Sequence, residues 1–309
     1  MSILADIGGT YARFAVSSPK GPEKIAKYEA ADFENLQEAL AHYCKEHELD
    51  PSGALRVAAA GSPENGLWAF VNKNTWVIDP KELEGEGWQV ERIVNDFEAA
   101  AWSLPVLEEC DLKALRAGAP ASPSKCILGP GTGLGLAYVH QGDKPIVQPT
   151  HGGHLPVACL TDEQALVIQA VQRFKGNETI PVYENVVSGP GLYNLYRALC
   201  LIGGSSVQVQ SPEEMMRQAD DLKVSTALRL FHEFLGLFAA SSVIAGHAYG
   251  GLYLTGGVLG RLIEAGQFDQ EHFKHWFCLK GIAPVTRDLR AMPIYHITYP
   301  YPALKGLNA

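Results

Sequence analysis

The chain has 309 residues, of which 47% are hydrophobic and 19% charged, and its formal net charge is −9. That profile fits a soluble globular protein large enough for two ordinary domains, and it excludes a disordered or fibrous chain. Acidic residues are scattered and no basic stripe is visible, which argues against a nucleic-acid partner.

The opening Met1-Ser2-Ile3-Leu4-Ala5-Asp6 lacks a basic region, and a carboxylate interrupts its apolar run, so it does not read as a signal peptide. Ile3-Leu4-Ala5 predicts a short strand, Asp6-Ile7-Gly8-Gly9-Thr10 a glycine turn, and Phe14-Ala15-Val16 a returning strand. Glycines let several backbone N–H groups converge on a phosphate. Asp6 would anchor Mg²⁺ through water, and the Thr10 hydroxyl would donate to a phosphate oxygen. Taken alone, the turn reads equally well as a tight hairpin with an ordinary acidic residue. Leu36, Leu40 and Tyr43 sit at helical spacing and predict a helix over 35–47. The extended stretch Gln89 to Val94 places Asn95-Asp96-Phe97 at a strand end. There Asp96 could accept a proton from a hydroxyl attacking a γ-phosphate. On its own, Asp96 reads better as the cap of a helix over 98–103, as any Asn-Asp pair could supply.

Cys126-Ile127-Leu128 leads into Gly129-Pro130-Gly131-Thr132-Gly133-Leu134-Gly135 and then Leu136-Ala137-Tyr138-Val139, a second strand, turn and strand. The alternate glycines do not fit G-x-G-x-x-G, and no G-x-x-x-x-G-K-[ST] run exists. A phosphate-cradling hairpin of another kind remains. Thr161-Asp162-Glu163-Gln164 is a capping-box helix start, with Val167, Val171 and Phe174 on one apolar face. Pro190 is placed to open a helix over 191–199. Thr226 to Ala248 is apolar nearly all round, and Arg229, His232, Glu233 and His247 mark it as a buried core helix rather than a membrane span. Leu252-Tyr253-Leu254 predicts a strand entering Thr255-Gly256-Gly257, where an adenine ring could lie against backbone; a plain turn is the other reading. The six cysteines form no C-x-x-C pair, which predicts reduced thiols in a cytoplasmic protein.

The recurring strand, glycine turn and strand suggest a duplicated domain, and the mixture of strands and helices predicts an α/β architecture with its site at the carboxyl edges of the strands.

The ordered set Asp6 to Phe14, Asn95-Asp96-Phe97, Leu128 to Gly135, Gly152-Gly153-His154, Glu184 with Ser188 to Leu192, and Leu254 to Gly257 resembles the bacterial glucokinase family, within the hexokinase/actin-like superfamily, over nearly the whole chain. The resemblance implies two actin-like (ribonuclease H-like) α/β domains with a central cleft. The small domain would be 1–105 plus about 297–309, the large domain 106–296. Asp6, Gly8, Gly9 and Thr10 would form one ATP phosphate loop, Gly131, Thr132 and Gly133 the other, and Gly256 and Gly257 the adenosine turn. Asp96 matches the family's catalytic base, and Asn95, His154 and Glu184 match its sugar-binding positions. The implied reaction is transfer of the ATP γ-phosphoryl to the 6-hydroxyl of glucose with Mg²⁺, in a cytoplasmic homodimer without membrane or nucleic-acid partners.

Two departures qualify it. The residue before Gly-Gly-His is His151, where the family has a sugar-binding glutamate, so a carboxylate's two acceptor oxygens become at most one imidazole nitrogen. This leaves open a kinase of the same fold acting on another hexose or an amino sugar. A catalytically inactive sugar-binding protein is the further alternative, although it would have no use for a base at Asp96. Metal ligation by His151 and His154 lacks an evident third ligand. The second departure is the terminal segment Tyr301 to Ala309, which stops where relatives usually continue through a final helix, so either weaker packing of the small domain or a differently organised terminus is expected.

Overall fold

The computed structural model describes residues 2–70, 74–176, 178–218, 221–278, 281 and 283–309. Backbone contacts divide the chain into two units. The first comprises Met1–Asp111, Val147–Pro149 and Tyr299–Ala309, and the second Leu112–Ile146 and Thr150–Thr298.

The first unit is built on a mixed five-stranded sheet in the order Glu23–Glu29, Tyr11–Val16, Ser2–Ile7, Gly53–Ala59, Trp88–Asn95. Ser2–Ile7 makes an antiparallel hairpin with Tyr11–Val16, as the sequence predicts, and runs parallel to Gly53–Ala59, which runs parallel to Trp88–Asn95. The first strand is buried along its whole length, which accounts for its nearly unbroken apolar run. Ile7 pairs with Ala59 and Ala59 with Asn95, so the three parallel strands stop at one level.

Both faces of this sheet are covered. Helix Leu36–Glu46, capped by the Asn35 side chain accepting from Glu38 N, sits on one, with Tyr43 stacked on Phe14 at 5.4 Å between ring centroids. On the other, Leu4, Ala15 and Ala58 pack against Ala99, Leu304 and Leu307. These last side chains belong to helices Asp96–Trp102 and Pro302–Asn308. The expectation of a missing final helix and weaker packing is therefore corrected. The terminal residues themselves form that helix, and Leu304 and Leu307 are fully buried. The close crossing depends on Gly306, where a Cβ would lie 1.8 Å from Ala99 O.

In the second unit the strands Leu134–His140, Ser124–Pro130, Leu252–Leu254, Ile294–Ile297 and Leu112–Arg116 lie side by side in that order. Ser124–Pro130 pairs antiparallel with Leu134–His140 and parallel with Leu252–Leu254, which is parallel to Ile294–Ile297. A hairpin whose first strand neighbours two parallel strands thus occurs twice, the duplication that the glycine turns suggested.

Helix Leu222–Ala245 forms the core of this unit, burying Phe231, Phe234 and Phe238 completely. By length and composition it could cross a membrane, but 83% of its most apolar window is buried inside the fold, as a core helix requires. Its face is less uniformly apolar than the sequence suggests. Glu233, 2% exposed, is ion-paired with Arg229, meets His272 Nε2 at 3.2 Å and accepts from Gln164 Nε2 at 2.7 Å. A carboxylate so far from water needs such partners. Helix Asp162–Lys175 starts as predicted, with Thr161 Oγ1 accepting from Gln164 N. The return contact goes from Gln164 to Leu160 N, one residue before the cap.

Candidate functional site

In the first unit the level strand ends gather the predicted residues at the carboxyl edge of the sheet. Asp6 is the penultimate residue of Ser2–Ile7 and is buried. Its Oδ2 accepts from Arg13 Nη1 at 3.1 Å, a contact made possible because Arg13 is its cross-strand partner in the hairpin. Burial raises the Asp6 pKa, and the Arg13 charge opposes that rise. Gly8, Gly9 and Thr10 form the turn itself, with Gly8 N–H donating to Tyr11 O at 2.9 Å. Asn74 braces it from outside, its Nδ2 donating to Gly8 O at 3.1 Å.

Asn95 ends its strand, and Asp96 opens the helix Asp96–Trp102. The reading in which Asp96 caps that helix is not the one built. Asn95 is the cap, its Oδ1 accepting from Phe97 N at 2.9 Å, while its Nδ2 donates to Gly61 O at 3.0 Å. Asp96 Oδ1 takes a shared bond from Phe97 N at 2.8 Å. Burial, and next the nearby Asp6 charge, push the Asp96 carboxyl up to about 6, against the pull of its backbone hydrogen bonds and of Arg13. A carboxylate poised near neutrality at a strand edge has the proton affinity of a general base.

The second unit carries the other predicted residues. Gly131, Thr132 and Gly133 form the hairpin turn, closed by Gly131 N–H donating to Gly133 O at 2.8 Å. Gly133 lies against Glu184, whose Oε2 would sit 2.7 Å from an added Cβ and which accepts from Leu134 N at 3.0 Å. The other oxygen, Oε1, lies 3.9 Å from His154 Nε2, with both side chains reaching solvent. His151 and His154 flank the short helical turn Gly152–His154, their rings parallel with centroids 6.2 Å apart. The structure thus brings His151, His154, Glu184 and the glycine turn into one locality.

Gly256 is close by. Its φ of +98° and a would-be Cβ at 2.4 Å from Pro130 O demand glycine, and the strand before it is tied to the hairpin by Thr255 N–H donating to Leu128 O at 2.9 Å. Gly257 opens helix Gly257–Glu264. A second helix, Gly189–Ile202, also starts here, with Gly189 N–H donating to Gly131 O at 2.9 Å. Two helix N-termini and a glycine hairpin converging on one spot favour negative charge.

Arg13, Asn74 and the Gly189 helix start received no role from the sequence. Arg13 lies inside the first motif, and cross-strand pairing in a hairpin could have linked it to Asp6. Asn74 has no such signal, because it reaches the turn from 66 residues away.

The chain as a whole is similar to known proteins. The glucokinase family model matches residues 3–309. A glucokinase of Photorhabdus laumondii is 32% identical over 314 residues, covering 98% of this chain and 94% of that one. A solved glucokinase from an Antarctic psychrotroph superposes with a TM-score of 0.80 at 26% identity, covering 99% of this chain and 96% of that one. At 18% identity and a TM-score of 0.62, a ROK family glucokinase from Streptomyces griseus, solved with glucose and AMPPNP, shares the fold over 100% of this chain and 97% of its own. With its strand-edge aspartates, its twin glycine hairpins and a family match that runs from the third residue to the last, the chain belongs to the glucokinase family.

Proposed function

We infer that this protein transfers the γ-phosphoryl group of ATP to the 6-hydroxyl of glucose. The observation that carries the reading is Asp96, held at the carboxyl edge beside Asp6 with its pKa pushed up to about 6. A base of that strength is ionised at neutral pH yet takes a proton readily as the hydroxyl oxygen attacks phosphorus.

The residues divide the work by chemistry. Asn95 and Asp96 would hold and orient the sugar from the first unit, and His154 and Glu184 from the second. The tips of the two turns, Gly9-Thr10 and Thr132-Gly133, would face the phosphates, since Gly8 and Gly131 use their N–H groups to close the turns. Gly256 and Gly257 would carry the adenosine. Asp6 offers a hard carboxylate oxygen, buried and held in place by Arg13, which suits Mg²⁺ bound through water. When bound, the ion would neutralise charge on the phosphate oxygens. The reading requires the two carboxyl edges to face a common cleft between two actin-like units. Arg13 would keep Asp6 ionised and pointing toward the turn.

His151 supports a second reading, a kinase for another hexose or an amino sugar. It is exposed, beside His154, and offers one acceptor nitrogen where a carboxylate would offer two oxygens. Loss of a charged hydrogen bond weakens affinity roughly tenfold to a hundredfold.

An ADP-release assay with ATP and glucose, mannose, glucosamine and N-acetylglucosamine separates the two readings. Glucose is expected to give the highest kcat/KM, and another sugar in first place overturns the glucose assignment. Asp96→Asn is expected to lower kcat by about 10²- to 10⁴-fold, and near-normal turnover would remove Asp96 as the base. The bacterial relatives and the six free thiols support a cytoplasmic location. The homodimer implied by the resemblance is tested by light scattering across a concentration series.

A further inference from the structure

At the opposite edge of the second sheet lies a recess of about 400 Å³. Side chains alternate along strands. While Cys126, Leu252 and Ile294 enter the core, Lys125, Tyr253 and Tyr295 stand on the other face. The two tyrosine rings stack with centroids 5.2 Å apart and 30° between planes, and Lys125 Nζ lies 5.5 Å from the Tyr253 centroid. The recess is bounded by prolines at 120, 123 and 293, whose rings give stiff apolar walls. Lys125 and the turn glycine Gly131 are separated by six residues of strand, roughly 20 Å, so this is not the phosphate locality.

The charge around the recess has one sign. Among the described residues no carboxylate lines it, although the chain as a whole is acidic. No carboxylate among them pairs with Lys125, which is half-buried with its Nζ over the face of Tyr253. The other polar side chains that line it, Ser122, Gln141, Tyr253 and Tyr295, all carry donors. Burial, reinforced by Tyr295, pushes the Tyr253 hydroxyl up to about 12, so its proton stays in place at neutral pH. A single cation in an apolar, aromatic-floored recess suits a monoanion with a planar apolar body. A polyhydroxylated sugar phosphate would bring more charge than one lysine answers, and hydroxyls whose water the proline and tyrosine walls would strip away.

We propose that this recess on the second unit binds an aromatic monocarboxylate, its ring laid on the half-buried Tyr295, which Tyr253 backs, and its carboxylate paired with Lys125. Stacking and cation–π attraction would act together there, since the ammonium and the ring face meet the ligand from adjoining sides.

Calorimetric titration of the full-length protein with phenylacetate tests the proposal, with phenylacetamide, inorganic phosphate and glucose 6-phosphate as parallel titrants. Saturable phenylacetate binding is expected, with the neutral amide roughly tenfold to a hundredfold weaker. Lys125→Met should weaken phenylacetate by a similar factor while leaving the melting temperature and the sugar-kinase turnover unchanged. Gln141→Ala, at the exposed rim, should weaken it by a smaller factor and provides a variant with little risk to folding. Equal binding of acid and amide, unchanged affinity in Lys125→Met, or no saturation by ~10 mM, a range that covers even weak ligands, would each overturn it. So would tighter binding of phosphate or glucose 6-phosphate at Lys125, or a change of oligomeric state in Lys125→Met, which would make the recess a contact between copies of the chain. The kinase reading stands or falls separately, on ADP release.

Discussion

The Asp96 carboxyl stands near 6 because water is withdrawn from it and Asp6 is beside it. As a base it must be ionised, so kcat/KM is expected to fall about tenfold per pH unit below ~6 and to level off above it. Arg13 pulls this pKa down, so Arg13→Gln should move the acid limb to higher pH as well as loosen Asp6. A pH–rate profile of both proteins checks the direction, and a limb that stays in place removes Arg13 from the electrostatics of the base. The same shift bears on stability with a definite sign. The folded pKa lies above the ordinary 3.8, so between about 4 and 6 the folded state binds more protons than the unfolded state. Asp96 therefore costs stability progressively as pH rises through that window, and the cost is complete above ~6. Asp96→Asn keeps an acceptor for Phe97 N–H and removes the buried charge, and should gain about 1–2 kcal/mol toward unfolding at pH 7. Urea titrations at pH 4 and pH 7 should show the gain at pH 7 and little of it at pH 4. That gain would mark Asp96 as a carboxylate kept for the proposed function rather than for structure.

Among the elements, the terminal helix Pro302–Asn308 shows how one small residue sets a packing distance. Gly306 faces Ala99 O and Ser103 N of helix Asp96–Trp102, the helix that Asp96 opens. Gly306→Ala would force these helices apart, at a cost of about 1–3 kcal/mol. It should also lower turnover, because Asp96, the proposed base, moves with the helix that it opens. Thermal melts and ADP-release rates measured on the same variant check both effects, and an unchanged melting temperature would mean that the crossing is looser than it looks. Helix starts were legible in the sequence at Asn35 and Thr161, where a side chain caps them locally, but not at Asp79, Ser211, Asp221 and Asp269, which cap in the same way. At Asn95-Asp96 the local signal could not say which of two adjacent residues caps, since either oxygen reaches the exposed amides. The turn of the chain from strand to helix made that choice by placing Asn95 at the cap.

For the whole molecule, binding that favours the folded state raises its stability by mass action. At ligand concentrations a hundredfold above Kd the gain is about 2.7 kcal/mol, which corresponds to a melting temperature higher by roughly 5–10 °C. Glucose alone and the AMPPNP–Mg²⁺ pair should each produce such a shift, and EDTA should abolish the nucleotide's part while leaving the sugar's. Thermal shift assays check this, and a nucleotide effect indifferent to EDTA would dismiss the Mg²⁺ role given to Asp6. The amino-acid sequence by itself determined the α/β character, the repeated glycine hairpins and the strand-edge position of Asp96, because strand alternation, helix periodicity and glycine turns are written over short stretches of chain. Tertiary structure alone decided that Asn74 braces the first turn, that Glu184 sits against Gly133 and that Glu233 finds a buried partner in Gln164. Those contacts join residues whose separation along the chain carries no periodic trace, and they arise from which strands and helices come to lie side by side when the core closes.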